Sequence, residues 1–191
     1  MGRVGLTPDK LVMAAAELAD VEGFEAVTMS ALARHFGVRT ASLYSHVAST
    51  ADLKSQVAVL ALGELAEAAG AALAGRAGSD ALLAFAGAYR DYARAHPGRY
   101  AATRYPLPSQ LLAAGRAHAE LTLALLRGYD LDADDSTHAV RLIGSLLHGF
   151  TDLELSGGFS HSDPPSEETW PRAVEALDAT LVRWGRLAPG D

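Results

Sequence analysis

The 191-residue sequence predicts an all-α protein, with a module of short helices at the amino end joined by one long helix to a larger helical body. Three observations carry that expectation. No strand-like alternation of useful length occurs anywhere. Apolar residues instead recur at three- and four-residue spacings, which aligns them on one face of a helix. Glycine, proline and serine punctuate the chain where those stripes stop. With 49% hydrophobic and 20% charged residues, the composition is that of an ordinary globular chain able to bury a sizeable core.

Thr7 caps the first helix, with Pro8 at its favoured first position and Asp9 in the positive first turn. Leu11, Ala15, Leu18 and Ala19 form its buried stripe and Gly23 ends it. A second helix opens at the N-cap Thr28, carries Met29, Leu32, Ala33 and Phe36 on one face, and closes at Gly37, which tolerates a left-handed conformation. The third, from Arg39 to Tyr44 or Ser45, has Leu43 as its only large apolar residue, leaving Arg39, Thr40, Ser42 and Tyr44 free to face a partner. Two short helices joined through a glycine turn, the second of them polar, describe a helix-turn-helix, whose second helix enters the DNA major groove.

From Ser49 a long helix runs to about Leu73, with Glu64 and Glu67 its only charges between Val57 and Ala74, so several of its sides are expected to be buried. The run Gly75 to Ser79 breaks the pattern, and Ser79 with Asp80 caps a helix through Ala95 that His96-Pro97-Gly98 ends. Arg99 to Tyr105 reads as a short helical or irregular piece before Pro106 and Pro108. A helix over Gln110 to Gly128 follows, then an acidic turn over Asp130 to Ser136, then a long helix over Asp134 to Leu155. Ser156 to Glu167 reads as a mobile loop of glycine, serine and proline. Trp170, Ala173, Val174, Leu177, Leu181 and Trp184 stripe the final helix.

Particular residues sharpen the reading. Leu43-Tyr44-Ser45-His46-Val47, then Ser49-x-x-Asp52-Leu53, and before them Phe24-Glu25-Ala26-Val27-Thr28 resemble the DNA-binding domain of TetR/AcrR-family transcriptional regulators over about the first third of the chain. Leu147-His148-Gly149-Phe150 with Leu153-Glu154, and His96-Pro97-Gly98-x-Tyr100, resemble the subgroup with a WHG-type C-terminal domain. One departure stands out: Thr50 occupies the position where that family usually has a phosphate-binding lysine. The resemblance implies residues 1–54 as a helix-turn-helix DNA-binding domain and residues 55–191 as a helical ligand-binding and dimerisation domain. It also implies a repressor that binds a palindromic DNA operator as a homodimer and is released by a small-molecule effector.

Charge bears on this. A net charge of −7 argues against a general polyanion binder, yet residues 1–54 hold five basic groups against six acidic ones, and Arg34 to Lys54 is locally basic, with His35 and His46 beside it. In the expected mechanism Arg39 contacts a guanine edge in bidentate fashion, and Thr40 and Ser42 meet bases or phosphates. Thr28, Tyr44, His46, Thr50 and Lys54 bind phosphates and set the register. Arg3 is placed to reach the minor groove on a terminal arm. The effector is expected among the middle helices, against Phe85, Tyr89, Tyr92, Tyr100, Tyr105, His118 and His148, a set without paired charges that points to a largely apolar or neutral molecule. Ile143, Leu147, Phe150, Leu177, Leu181 and Trp184 are expected in an intermolecular four-helix bundle.

The alternatives are weaker. With no cysteine, no histidine pair at the i, i+4 spacing, no nucleophile elbow and no phosphate or dinucleotide loop, the expectation is no enzyme, no metal and no cofactor. Nor does the chain open on a basic-then-apolar leader or carry an apolar run judged long enough to cross a bilayer, so a cytoplasmic location and no membrane partner are expected. A helical ligand-binding or interaction protein with a lapsed DNA-binding head remains as the alternative, favoured by the acidic balance and Thr50.

Overall fold

A computed structural model describes residues 5–185. Every regular element among the described residues is helical: α1 (Pro8–Glu22), α2 (Met29–Phe36), α3 (Thr50–Leu73), α4 (Gly78–Ala95), α5 (Pro97–Ala102), α6 (Ala113–Leu126), α7 (Ala133–Leu155) and α8 (Ser166–Gly185). Single 3-10 turns occupy Phe24–Ala26, Thr40–Ser45 and Ser109–Leu111. Arg3 lies outside the described residues.

Local signals set the early elements. Thr7 Oγ1 accepts the Lys10 amide at 3.3 Å, and Thr28 Oγ1 accepts that of Ala31 at 3.1 Å, each filling a backbone donor the first helical turn leaves free. Gly37, at φ 64°, closes α2 in the left-handed conformation, and the Val38 amide then donates back to the Ala33 carbonyl at 3.0 Å. The third helix is a 3-10 turn, Thr40–Ser45, with Arg39 in extended conformation before it. In this short piece the tighter i to i+3 pattern satisfies the backbone, as in the Ser42 amide to Arg39 carbonyl bond at 2.9 Å.

The chain forms two compact units that are not consecutive stretches. One runs up to Glu64 and takes in Ala95–Gly115; the other consists of Leu65–Arg94 and the chain from Arg116 on. Within the first unit α5 packs on α1. Pro97 sits in the first turn of α5, a position its fixed φ and missing N–H suit, so the proline that closes α4 also opens α5. Gly98 lies so close to α1 that a Cβ there would land on the Ala19 carbonyl. Asp20 fixes the contact, accepting the Arg99 amide at 2.8 Å and pairing with His96 Nδ1 at 3.1 Å, while Arg99 also reaches Glu64 at 3.1 Å.

Leu11, Ala15, Leu32, Leu43, Leu53 and Val57 are fully buried in the core of the first unit. In the second, Leu82, Phe85, Ile143, Leu147, Leu177 and Leu181 are buried to 1% exposure or less, save Leu177 at 4%. The helix expected over Gln110 to Gly128 is divided into the turn Ser109–Leu111 and α6, and the expected loop ends earlier, at Ser166. One expectation needs correction: α3 is by length and composition apolar enough to cross a membrane. Val57, Ala58, Ala61, Leu65 and Ala69 on it are nevertheless buried by protein.

Candidate nucleic-acid interface

The turn Thr40–Ser45 is anchored from beneath by Leu43, 0% exposed, and followed by Val47 at 3%. That inward anchor turns its neighbours out. Arg39, Ser42 and Tyr44 are exposed, Tyr44 to 54%, while Thr40 and His46 are half-buried. Thr28 is exposed at the start of α2, and the exposed Arg34 and His35 add positive charge in its last turn. Ser49 and Asp52 cap α3 reciprocally: Ser49 Oγ accepts the Asp52 amide at 3.0 Å and Asp52 Oδ2 accepts that of Ala48 at 2.8 Å. Thr50, half-buried, begins the helix. Lys54 behaves differently from the rest. Its ammonium lies 2.7 Å from Glu25 Oε2 and 5.0 Å from the centre of the Phe24 ring, with only 12% of the side chain exposed.

In the second unit four of the residues expected to meet a small molecule come together. His118 lies 5.6 Å from Phe85 and 5.0 Å from Tyr89 between ring centres, and Tyr89 lies 5.4 Å from His148. The Tyr89 hydroxyl and His118 Nε2 are hydrogen-bonded at 2.9 Å. Burial, reinforced by the charge of His148, lowers the His118 pKa to about 4, so its ring is neutral near pH 7. His118 Nδ1 and the fully buried Thr151 Oγ1 have no protein partner. Tyr92, 8% exposed, is buried on α4 of the same unit. Tyr100 and Tyr105 are not: both belong to the first unit, where Tyr100 is fully buried under Arg104 and Tyr105 packs edge-on against Phe24 at 5.5 Å. Thr151 escaped the sequence reading because a lone threonine on an apolar stripe carries no signal of its own.

The residues expected between subunits divide as well. Ile143, Leu147, Leu177 and Leu181 are at most 4% exposed in a single chain, so the stripe that reads as an interface is already covered within that chain. Phe150 and Trp184 are half-buried, Phe150 against Trp170 at 5.0 Å and Trp184 donating its indole N–H to Asp135 at 2.9 Å. The same unit contains a cavity of about 310 Å³ lined by residues that include Leu73, Arg76, Ala81, Leu125 and Gly128.

A polar turn displayed from a small trihelical core, with a separate helical unit in the same chain, defines the class of helix-turn-helix regulators. The family model described as "Bacterial regulatory proteins, tetR family" matches residues 11–57, and "Tetracyclin repressor-like, C-terminal domain" matches residues 82–177. An uncharacterized HTH-type transcriptional regulator of Mycobacterium tuberculosis is 40% identical over 156 residues, 80% of this chain and 72% of that protein. Another, from Bacillus subtilis, is 32% identical over 84% of this chain and 85% of its own length. Among solved structures, ActR of Streptomyces coelicolor in complex with actinorhodin matches with a TM-score of 0.71 at 20% identity, over 95% of this chain and 99% of that one. A protein of unknown function from Rhodococcus sp. RHA1 matches with a TM-score of 0.73 at 24% identity, over 94% and 95%. The chain belongs to the TetR family of transcriptional regulators, DNA-binding proteins with a helix-turn-helix.

Proposed function

We propose that the protein is a ligand-responsive repressor that binds a palindromic operator as a homodimer and leaves it when a small molecule binds. The observation that carries this reading is the turn Thr40–Ser45, where Leu43 is fully buried and Arg39, Ser42 and Tyr44 face outward. Arg39, with its planar fork of donors, reads a guanine edge; Thr40 and Ser42 meet bases or phosphates. Thr28, Tyr44, His46, Thr50 and Lys54 position the protein on the backbone.

The effector site is placed at Phe85, Tyr89, His118 and His148. The neutral His118 ring spends Nε2 on the Tyr89 hydroxyl, and its other nitrogen, Nδ1, is a buried polar atom without a partner among the described residues. An uncharged molecule with a hydroxyl group, which can donate or accept, supplies that partner and is not penalised for burying a charge. A family member solved in complex with actinorhodin supports a small-molecule effector by analogy of fold. Release from DNA then requires that the effector bind more tightly to the conformation that fits the operator poorly.

Selection from a random duplex pool tests the reading. It is expected to enrich an inverted repeat, and Arg39→Ala is expected to cost about 1–3 kcal/mol on it and relax one base position. Failure to enrich any sequence, with a folded protein, refutes it in favour of a helical binding protein whose head no longer reads DNA.

A further inference from the structure

We propose that Glu25 is an internal stand-in for a DNA phosphate, occupying the Lys54 ammonium in the free protein and yielding it to the backbone on binding; this rests on the DNA-binding reading above. The two partners of this ion pair are very unequal. The Lys54 side chain is 12% exposed, its ammonium lying over the ring of Phe24, itself 7% exposed, whereas the Glu25 side chain is 89% exposed. The cation is therefore fixed by the core and the anion is held by little besides the pair itself. A carboxylate so exposed to water forms only a weak, salt-screened bridge. A phosphate offers more acceptor oxygens to the same ammonium, and losing Glu25 to solvent costs little order.

The place of the pair gives the exchange its purpose. Lys54 is the only basic residue in α3, whose first position is the neutral Thr50. Helical side chains lean toward the N-terminus, so a residue four places on covers the turn that begins at Thr50. Glu25 sits in the 3-10 turn that leads into the Thr28 cap of α2. Paired, Lys54 is neutralised by Glu25; after exchange it neutralises a phosphate and leaves the carboxylate to water. Glu25 thereby lowers affinity for DNA of any sequence while leaving base reading by Arg39 untouched, which favours operator over bulk DNA only through the contacts that read bases.

The test measures binding to the selected duplex, and to a scrambled duplex of equal length, over a range of salt concentrations. Glu25→Gln is expected to tighten both roughly fivefold at low salt, since removing a weak exposed bridge frees a cation for phosphate. The slope of log affinity against log salt is expected to stay close to that of the wild type, since Lys54 neutralises the same phosphate in both complexes. Lys54→Met keeps the apolar stem over Phe24 and is expected to abolish the gain from Glu25→Gln when the two are combined. Binding by the wild type with affinity unchanged in Glu25→Gln overturns the proposal, as does an equal gain in the Lys54→Met background, which would make it a matter of overall charge. If neither the wild type nor Glu25→Gln binds either duplex, the DNA-binding reading itself fails and takes the proposal with it. Glu25→Gln changes an exposed side chain, so its thermal melting is expected to match the wild type and exclude misfolding as the cause.

Discussion

Arg90 and Glu154 illustrate what a residue pair does here. Arg90 Nε donates to Glu154 Oε2 at 2.8 Å and a second guanidinium nitrogen bonds Oε1; Ser166 Oγ donates to the same carboxylate at 2.6 Å, and Trp170 lies 5.2 Å from the guanidinium. The side chains are 10% and 9% exposed. The hydrogen bonds from Arg90 hold the Glu154 carboxyl below its usual range, against the opposing effect of burial. Its stabilisation is thus complete above the ordinary carboxyl pKa and lost as pH falls through the lowered one. Glu154→Gln leaves a buried guanidinium short of charge and is expected to cost about 3 kcal/mol in urea unfolding near pH 7; a loss no larger than that of an exposed pair counts against the arrangement. His118 adds a second pH dependence. Its folded pKa of about 4 lies below the ordinary 6.5, so the unfolded chain takes up the proton first, and stability falls as pH drops from 6.5 toward 4. Its slope is at most about 1.4 kcal/mol per pH unit, and His118→Gln is expected to flatten it; an unaltered pH profile removes the buried neutral ring from the account. In the sequence Glu154 is visible only as part of a motif, because its partner lies 64 residues away and nothing in a one-dimensional pattern joins them. Tyr89, His118 and His148 are legible as polar aromatics on helical stripes, but Tyr100 and Tyr105 look the same there and pack in the other unit.

Elements were legible where local chemistry decides them. Thr7 and Thr28 cap helices because each is followed by an apolar stripe and has a free amide three residues on, and Gly37 ends α2 because few other residues adopt its positive φ comfortably. α5 was legible only as a short helical or irregular piece from Arg99, since Pro97 reads equally well as the end of one helix and the start of the next. Nor does a sequence tell that Gly98 must be glycine for α5 to approach α1; the glycine is required by contact, not by its own φ. Gly98→Ala therefore drives a methyl into the Ala19 carbonyl and is expected to cost upward of about 3 kcal/mol or to lift α5 from α1. Gly63→Ala is the contrast: Gly63 is exposed on α3 with nothing near its missing Cβ, and alanine's better helix propensity is expected to stabilise the protein by up to about 1 kcal/mol. Equal effects of the two substitutions in denaturant titrations would show that close approach is not what the glycine in α5 provides.

For the whole molecule, the stripes on α7 and α8 mark a buried face without saying which chain buries it. In α7 the row Ala139, Ile143, Leu147 and Thr151 is buried within one protomer, and in α8 so is the row Trp170, Val174, Leu177 and Leu181. Half a turn away on each helix lies an outward row: Arg141, Ser145, Gly149 and Leu153 on α7, and Arg172, Ala176, Ala179 and Arg183 on α8, all exposed. Small residues in the middle of both rows allow helices of two copies to approach closely, with arginines at the margins kept in water. If the protein reads two half-sites, this outward face is where the second copy is expected to seat, while Leu181, 0% exposed, belongs to the monomer's core. The two positions then separate assembly from folding. Ala179→Glu is expected to leave helix content and melting close to wild type while sedimentation shifts from dimer toward monomer; Leu181→Glu, which buries a charge, is expected to unfold the second unit instead. A dimer that survives Ala179→Glu at every concentration tested would place the seam elsewhere on the molecule. A folded monomer from Leu181→Glu would return that side chain to the interface and contradict the packing of a single chain.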